Sequence, residues 1–361
     1  MKLYIDGLFY KSSGIGRYYA NLLKGLSGEF EIVTSVPLKY KNQFENEFKN
    51  YNITPVFVNY DKFSFENLFQ HHKILNNLKD VEIFFFPQIN VPLFFNHPNI
   101  VVTVHDFIPY TEFWDRSFLK KTFIKFLYLN AVRKASRIVT VSNATKKDLH
   151  KYFNKKSEVI YNFVDDEFFV QTPERIINEP YILYLGNRKK HKNLKNLILA
   201  YDGIKNRISQ KLVIAGTKDS QNDFIDELID KLGLKNKIIE INSPSDKEIY
   251  SLYKYTDLFV FPSFYEGFGY PPLEALALGS VAVSSNIPIL KEILGEKIAC
   301  FDPYDVSEIG ECMLNILQNE NLKKELYEEG KKRLSKFRRE KIIPQYIELI
   351  KALKNENIAA G

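Results

Sequence analysis

YILYLGNRKKHKNLKNL, residues 181–197, reads as a short apolar run, a glycine, a cluster of cations and the start of a helix. A continuous apolar run suits a strand buried on both faces of a parallel sheet, and a strand that passes into a helix is half of a βαβ unit. The rhythm repeats downstream in KLVIAG (211–216), KIIEIN (237–242), LFVFPS (258–263) and VAVSS (281–285). It also runs upstream, in LYID (3–6), EIVTSV (31–36), VEIFFFP (81–87), IVVTVHD (100–106) and RIVTVS (137–142). Two successive series of strand–helix alternation predict an α/β protein of two doubly wound, Rossmann-like domains, with a ligand held by both across a cleft. The polar connection QTPERIINEP (171–180), punctuated by Pro173 and Pro180, separates the series. The expected domains are therefore 1–172 and 173–340. Residues 341–361, with Pro344 at a helix start, form a C-terminal helix and tail expected to pack back toward the first domain.

The length of 361 residues is enough for two full cores, and 45% apolar with 26% charged residues is ordinary for a folded soluble protein. Two cysteines, Cys300 and Cys312, cannot build a disulfide framework or a Cys-rich zinc site, which predicts a reducing, cytoplasmic setting. The N-terminus MKLYIDGLFYKSSG lacks a signal-peptide pattern, and no segment has the apolar length of a membrane span. Of the net charge of +6, residues 1–175 carry +5 (23 Lys and Arg against 18 Asp and Glu). There is no zinc spacing and no dominant basic stripe, so nucleic acid is not the expected partner; an anionic membrane surface or a phosphate-bearing substrate fits better.

Working residues in such sheets lie just past the carboxyl ends of strands, and four of these exits are chemically unusual. The strongest is PSFYEGFGYPPLEALALG (262–279). Gly267 and Gly269 permit a tight turn and close approach to a ligand, Pro271 and Pro272 start a helix, and Gly279 ends it. The N–H groups ahead of the prolines favour an anion. Glu266 in the loop and Glu274 in the first helical turn supply acceptors for hydroxyls. A plain helix start with acids that suit the dipole accounts for Glu274 but not for the Glu-Gly-Phe-Gly loop.

At the second exit Arg188, Lys189, Lys190, Lys192 and Lys195 crowd a helix start, where the dipole disfavours cations. A diphosphate would satisfy both the cations and the helix N–H groups; a solvated basic turn is the alternative. The third, VHDFIP (104–109), places His105 where an imidazole could bond a sugar hydroxyl or handle a proton, against the commoner structural histidine. The fourth, SSGIGRYYANLL (12–23), sets Gly14 and Gly16 before a helix; Tyr19 breaks the dinucleotide fingerprint Gly-x-Gly-x-x-Gly, which leaves them as a glycine turn lining the opposite wall of the cleft and counted among the donor-binding candidates. The chain also lacks Asp-x-Asp, His-Glu-x-x-His, a P-loop and a Gly-x-Ser-x-Gly elbow.

Glu266 and Glu274 around EGFG, the basic exit ending in HKN, the His-Asp pair at 105–106 and the early glycine loop together resemble the retaining glycosyltransferases of family 4 over nearly the whole chain. The resemblance implies a GT-B fold, with acceptor bound mainly by the first domain, nucleotide-sugar by the second, and no metal or resident cofactor. It implies that Glu266 binds hydroxyls of the transferred sugar and Glu274 the ribose. Gly267, Phe268 and Gly269 lie against the donor, Lys192 holds the diphosphate, and His105 faces the donor sugar. Asn187 departs from the family pattern, which has an arginine there, and the neighbouring Arg188 is the candidate replacement. The implied mechanism is front-face displacement with retention of anomeric configuration.

The motifs IDGLFYKSSGIGRYYANLL, HDFIPY and GNRKKHKNL look most like the subgroup that builds bacterial surface polysaccharides, such as O-antigen mannosyltransferases. The implied partners are GDP-mannose as co-substrate and a saccharide acceptor on a polyprenyl diphosphate, met at the inner face of the plasma membrane. Residues 114–137 interleave Trp114, Phe118, Phe123 and Phe126 with Arg116, Lys120, Lys121, Lys125, Arg133 and Lys134, as a helix on anionic lipid would, although a packing helix with a basic rim has the same composition. Two other functions use the same motifs: a GT-B nucleotide-sugar epimerase, and a non-catalytic subunit that binds sugar nucleotides.

Overall fold

The structure, a computed structural model, describes residues 1–114, 116–218 and 224–360. The chain divides into two units, one made of Met1–Tyr110, Asp115–Phe163 and Arg339–Gly361, the other of Thr111–Trp114 and Val164–Arg338. The passage between them falls at Phe163–Val164 rather than within 171–180. Phe163 is buried in the core of the first unit, whereas the Val164 N–H donates to the Phe337 carbonyl of the second at 3.1 Å.

In the first unit β1 (Lys2–Asp6), β2 (Glu31–Pro37), β3 (Ile53–Val58), β4 (Ile83–Phe86), β5 (Ile100–Val104), β6 (Arg137–Thr140) and β7 (Glu158–Val159) form a parallel sheet in the order β3-β2-β1-β4-β5-β6-β7. Successive strand residues point to opposite faces, and both faces are buried here. Leu3, Ile5 and Phe85 join one core cluster, while Tyr4, Phe84 and Phe86 join the other. Helix Ser13–Leu26 and helix Arg339–Ala360 cover the first face through Leu22, Leu26, Tyr346 and Ile350. Helix Phe118–Lys134 covers the second through Leu127 and Ala131. The helix at 339–360 begins at Arg339, so Pro344 lies inside it rather than at its start.

In the second unit β8 (Tyr181–Leu185), β9 (Lys211–Gly216), β10 (Ile238–Asn242), β11 (Leu258–Phe261), β12 (Ala282–Ser285) and β13 (Ala299–Phe301) form a parallel sheet in the order β10-β9-β8-β11-β12-β13. Each unit is thus doubly wound, as the strand–helix alternation predicts. The strands that no continuous apolar run announces are β3, β7 and β13, and all three lie at sheet edges. An edge strand need not be apolar on both faces: β3 is mostly half-exposed and carries Pro55, which an edge tolerates. Ligands of such sheets bind where the strand order reverses, between β1 and β4 in one unit and between β8 and β11 in the other. Among the described residues no helix is long and apolar enough to cross a membrane.

Candidate functional site

The exits of β8 and β11 meet at the reversal point of the second sheet. After β8 the chain passes Gly186, makes a short 3₁₀ turn over Lys190–Lys192, and enters helix Leu194–Ile204 through Asn193 in left-handed conformation (φ 57°). The cations therefore occupy the turn ahead of the helix, with Lys195 alone inside it. Two bonds stitch this turn to the β11 exit: the Phe264 N–H donates to the His191 carbonyl at 2.8 Å, and Asn193 Nδ2 donates to the Pro262 carbonyl at 2.9 Å.

The stitching brings Lys192 to Glu266. Lys192 Nζ donates to Glu266 Oε1 at 2.7 Å, the side chains being 15% and 10% exposed, and the ammonium also lies 5.2 Å from the centre of the Phe261 ring. Both residues keep company beside the N-terminus of helix Tyr270–Ala277, whose N-cap is Gly269 at φ 97°. That conformation suits glycine, and a Cβ there would also lie 2.7 Å from Leu290 Cδ2. Glu274 is the fifth residue of the helix and so sits in its second turn, not its first. It is 3% exposed and accepts from the Tyr253 hydroxyl at 3.0 Å. The Phe268 ring is buried against Tyr270 and Phe337, so at 267–269 it is the backbone, not this ring, that can lie against a ligand.

Arg188 differs from the expectation of a diphosphate contact. Its guanidinium is 6% exposed and holds Asp226 at 2.6 Å and Glu240 at 3.0 Å. Its charge is spent within the unit, and the geometry supports a role in fixing the β8 exit rather than in replacing the arginine absent at Asn187. Three residues of this site lie within the motifs read from the sequence but have no role of their own there. His191 is buried and neutral, its pKa pushed down to about 4 by burial; Asn193 bonds the Pro262 carbonyl and the Pro303 carbonyl; and Ser263 is buried with no hydrogen-bond partner for its Oγ.

The other two exits come together within the first unit. His105 follows β5, and Tyr18 of helix Ser13–Leu26 meets it edge-to-face at 4.7 Å. His105 Nε2 lies 2.8 Å from the Pro87 carbonyl. A carbonyl only accepts, so Nε2 carries the proton and Nδ1 is the accepting nitrogen. Burial holds its pKa down at about 4, so at neutral pH the ring is uncharged and Nδ1 can accept, which suits the first of the two expected roles, a bond from a sugar hydroxyl. Gly14 and Gly16 lie inside the first turn of helix Ser13–Leu26, not before it. A Cβ on Gly16 would meet the Phe9 carbonyl oxygen at 2.7 Å, so this glycine lets the helix rest on its own preceding loop.

In helix Phe118–Lys134, Phe118 and Leu119 are 80% and 78% exposed, with Phe123 and Phe126 also exposed. Trp114 belongs to the other unit, and Lys134 points inward, donating to the carbonyls of Pro92, Leu93 and Phe95. Neither residue adds to the exposed face. Among the described residues no group of three or more His, Cys, Asp or Glu is placed to hold a metal ion.

A model of the family described as Glycosyltransferase Family 4 matches residues 12–168, and one described as Glycosyl transferases group 1 matches residues 165–333. The O-antigen chain mannosyltransferase RfbU of Salmonella typhimurium is 31% identical over 227 residues, 61% of each chain; the matched stretch thus spans about three fifths of that relative. The O-antigen chain mannosyltransferase B of Escherichia coli is 24% identical over 373 residues, covering 95% of this chain and 97% of that one. Among solved structures, the sucrose-phosphate synthase of Thermosynechococcus elongatus superposes with a TM-score of 0.78 over 100% of both chains at 16% identity, which establishes the fold class as GT-B.

Proposed function

Since the chain belongs to the glycosyltransferase family whose two halves these matches describe, we propose that it is a retaining, metal-independent hexosyltransferase that moves mannose from GDP-mannose to a growing O-antigen-like saccharide on a polyprenyl diphosphate. The names of the two relatives support the sugar and the polymer. The observation that carries the reading is the pairing of Lys192 with Glu266 beside a helix N-terminus at the β8/β11 reversal point. A lysine and a helix N-terminus supply positive charge to a diphosphate, and a carboxylate beside them accepts from sugar hydroxyls.

In the proposed reaction the acceptor oxygen attacks the anomeric carbon on the face from which the diphosphate leaves. The carbon–oxygen bond to the acceptor forms as the bond to the diphosphate breaks, and the acceptor proton passes to the departing diphosphate oxygen. Lys192 and the N–H groups around Gly269 stabilise the negative charge that grows on it, the kind of preorganised stabilisation worth most to such a step. Glu274 takes the ribose, the backbone of Gly267 to Gly269 lies along the donor, and His105 accepts from a donor-sugar hydroxyl through Nδ1. Gly14 and Gly16 shape the loop beside His105. Arg188, through Asp226 and Glu240, holds the turn that presents Lys192. An anionic membrane surface is the proposed meeting place, touched by Phe118 and Leu119 with Lys120, Lys121 and Lys125.

The test is a thermal-shift screen of nucleotide-sugars, since a ligand that binds only the folded state raises its stability. It is followed by transfer assays with and without chelator and by NMR of the product anomer. Stabilisation by GDP-mannose and chelator-insensitive transfer with retention are expected. Conversion of donor alone into its epimer would replace the reading, and donor binding and turnover unchanged in both Lys192→Ala and Glu266→Ala would remove the site.

A further inference from the structure

The edge of the second sheet carries a pair of groups that the transferase reading does not use. Cys300 on β13 and Cys312 on helix Val306–Gln318 place their sulfurs 3.0 Å apart. Both are half-buried thiols, and both line a cavity of about 590 Å³ whose wall also holds Lys297, Glu308 and Leu322. Neighbouring sulfurs reachable from a cavity are the arrangement that thiol–disulfide exchange requires.

We propose that Cys300 and Cys312 form a reversible dithiol–disulfide site, oxidised by low-molecular-weight disulfides and reduced by thiols. Either S–H can donate to the other sulfur at this distance, so either cysteine can attack, and the sequence that begins at Cys300 holds equally with the two exchanged. The Cys300 thiolate attacks one sulfur of the small disulfide, forming a mixed disulfide and releasing one thiol. Cys312 loses its proton to solvent, attacks the Cys300 sulfur, forms the Cys300–Cys312 bond and releases the second thiol. Two protein thiols are oxidised while one small disulfide is reduced to two thiols.

The bond has a place to act. Between the two cysteines lies Pro303, whose carbonyl accepts from Asn193 at 2.7 Å and from Asn196 at 3.0 Å. Asn193 follows Lys192 directly, so a covalent tie across 300–312 steadies the carbonyl on which the Lys192 turn rests.

The test uses the full chain in glutathione buffers of stepped redox ratio, read by intact mass after alkylation and by hydrogen exchange. The expected result is joint loss of both thiols with no glutathione retained, reversed by dithiothreitol, with slower exchange at 190–196 and 301–311. The variants Cys312→Ser and Cys300→Ser should each keep one glutathione on the cysteine that remains, for want of a second thiol to displace it. Retained glutathione on the unaltered protein, or reaction only after denaturation, overturns the proposal, as does oxidation that leaves exchange at 190–196 unchanged. None of these measurements involves a nucleotide, so failure of the transferase reading would show separately.

Discussion

Replacing Glu266 with Gln keeps the shape of the side chain and removes its charge, and the expected effects on binding and on turnover have opposite signs. In the free protein Lys192 Nζ is held by Glu266 Oε1 at 2.7 Å, with both side chains largely buried. Two unit charges at that distance attract by about 6 kcal/mol at an effective dielectric constant of about 20, and desolvation cancels much of it. A charge-assisted bond of this kind nets about 1.5–3 kcal/mol. A diphosphate must share or displace that bond and also meets the Glu266 carboxylate. Glu266→Gln should therefore tighten binding of a nucleoside diphosphate by roughly tenfold to a hundredfold, while turnover of the nucleotide-sugar falls for want of the carboxylate that receives the sugar hydroxyls. Lys192→Met should weaken the diphosphate by a similar factor. Titration calorimetry with GDP and UDP on the parent, both single variants and the double variant closes a cycle that isolates the coupling. If Glu266→Gln weakened the diphosphate as Lys192→Met does, the carboxylate would not be the competitor for the lysine and the reasoning would fail.

Acid should destabilise both units through buried neutral histidines. His105 and His191 each have a folded pKa of about 4 against an ordinary 6.5, so below pH 6.5 the unfolded chain takes up protons that the folded chain refuses. Stability is then lost by about 1.4 kcal/mol per pH unit for each, down to the folded pKa. In the first unit His71, also lowered to about 4, is offset by neighbouring Asp6, raised by burial to about 7, which gains stability as pH falls. Urea midpoints unchanged between pH 6.5 and 5 would contradict this. Gly16→Ala should cost about 1–3 kcal/mol through the contact with the Phe9 carbonyl; an unaltered denaturant midpoint would return this glycine to a ligand role. Reversing Lys120, Lys121 and Lys125 to Glu should abolish a weak, salt-sensitive binding to anionic vesicles, each cation contributing about 1 kcal/mol. Co-sedimentation insensitive to the change would reject helix Phe118–Lys134 as the contact.

Strands buried on both faces announce themselves, because nearly every position is apolar; this is why β1, β5, β8 and β11 can be read from the sequence even though β1 ends in Asp6 and β5 holds Thr103. Glu266 and Glu274 are legible as site candidates because glycines and prolines punctuate the β11 exit that carries them; the β8 exit shows only a cluster of cations, from which the family resemblance alone singles out Lys192. Their partners are not. Asp226 and Glu240, which neutralise Arg188, come from a separate helix and from β10, and no local pattern links them to residue 188. Likewise the tautomer of His105 depends on the Pro87 carbonyl, 18 positions earlier, and the commitment of Lys134 depends on carbonyls about forty positions earlier. Sequence reading resolves what neighbours in the chain dictate; ion pairs across the sheet belong to the fold.

The helix at 339–360 has a consequence for how the protein comes into being. It completes the core of the first unit, where the Tyr346 and Tyr18 hydroxyls meet at 2.8 Å and Ile350 is fully buried. A ribosome delivers residues 1–163 early, yet the piece that closes their sheet emerges only after the whole second unit. The second unit precedes this helix in the chain; the first waits with Phe85 and Tyr18 lacking the Tyr346 ring that packs on them. During synthesis the older part of the chain is thus the younger fold, open to chaperones and proteases until residues 339–360 emerge. A nonsense codon near residue 338 would spare every strand of both sheets and still leave the first unit without its closing layer.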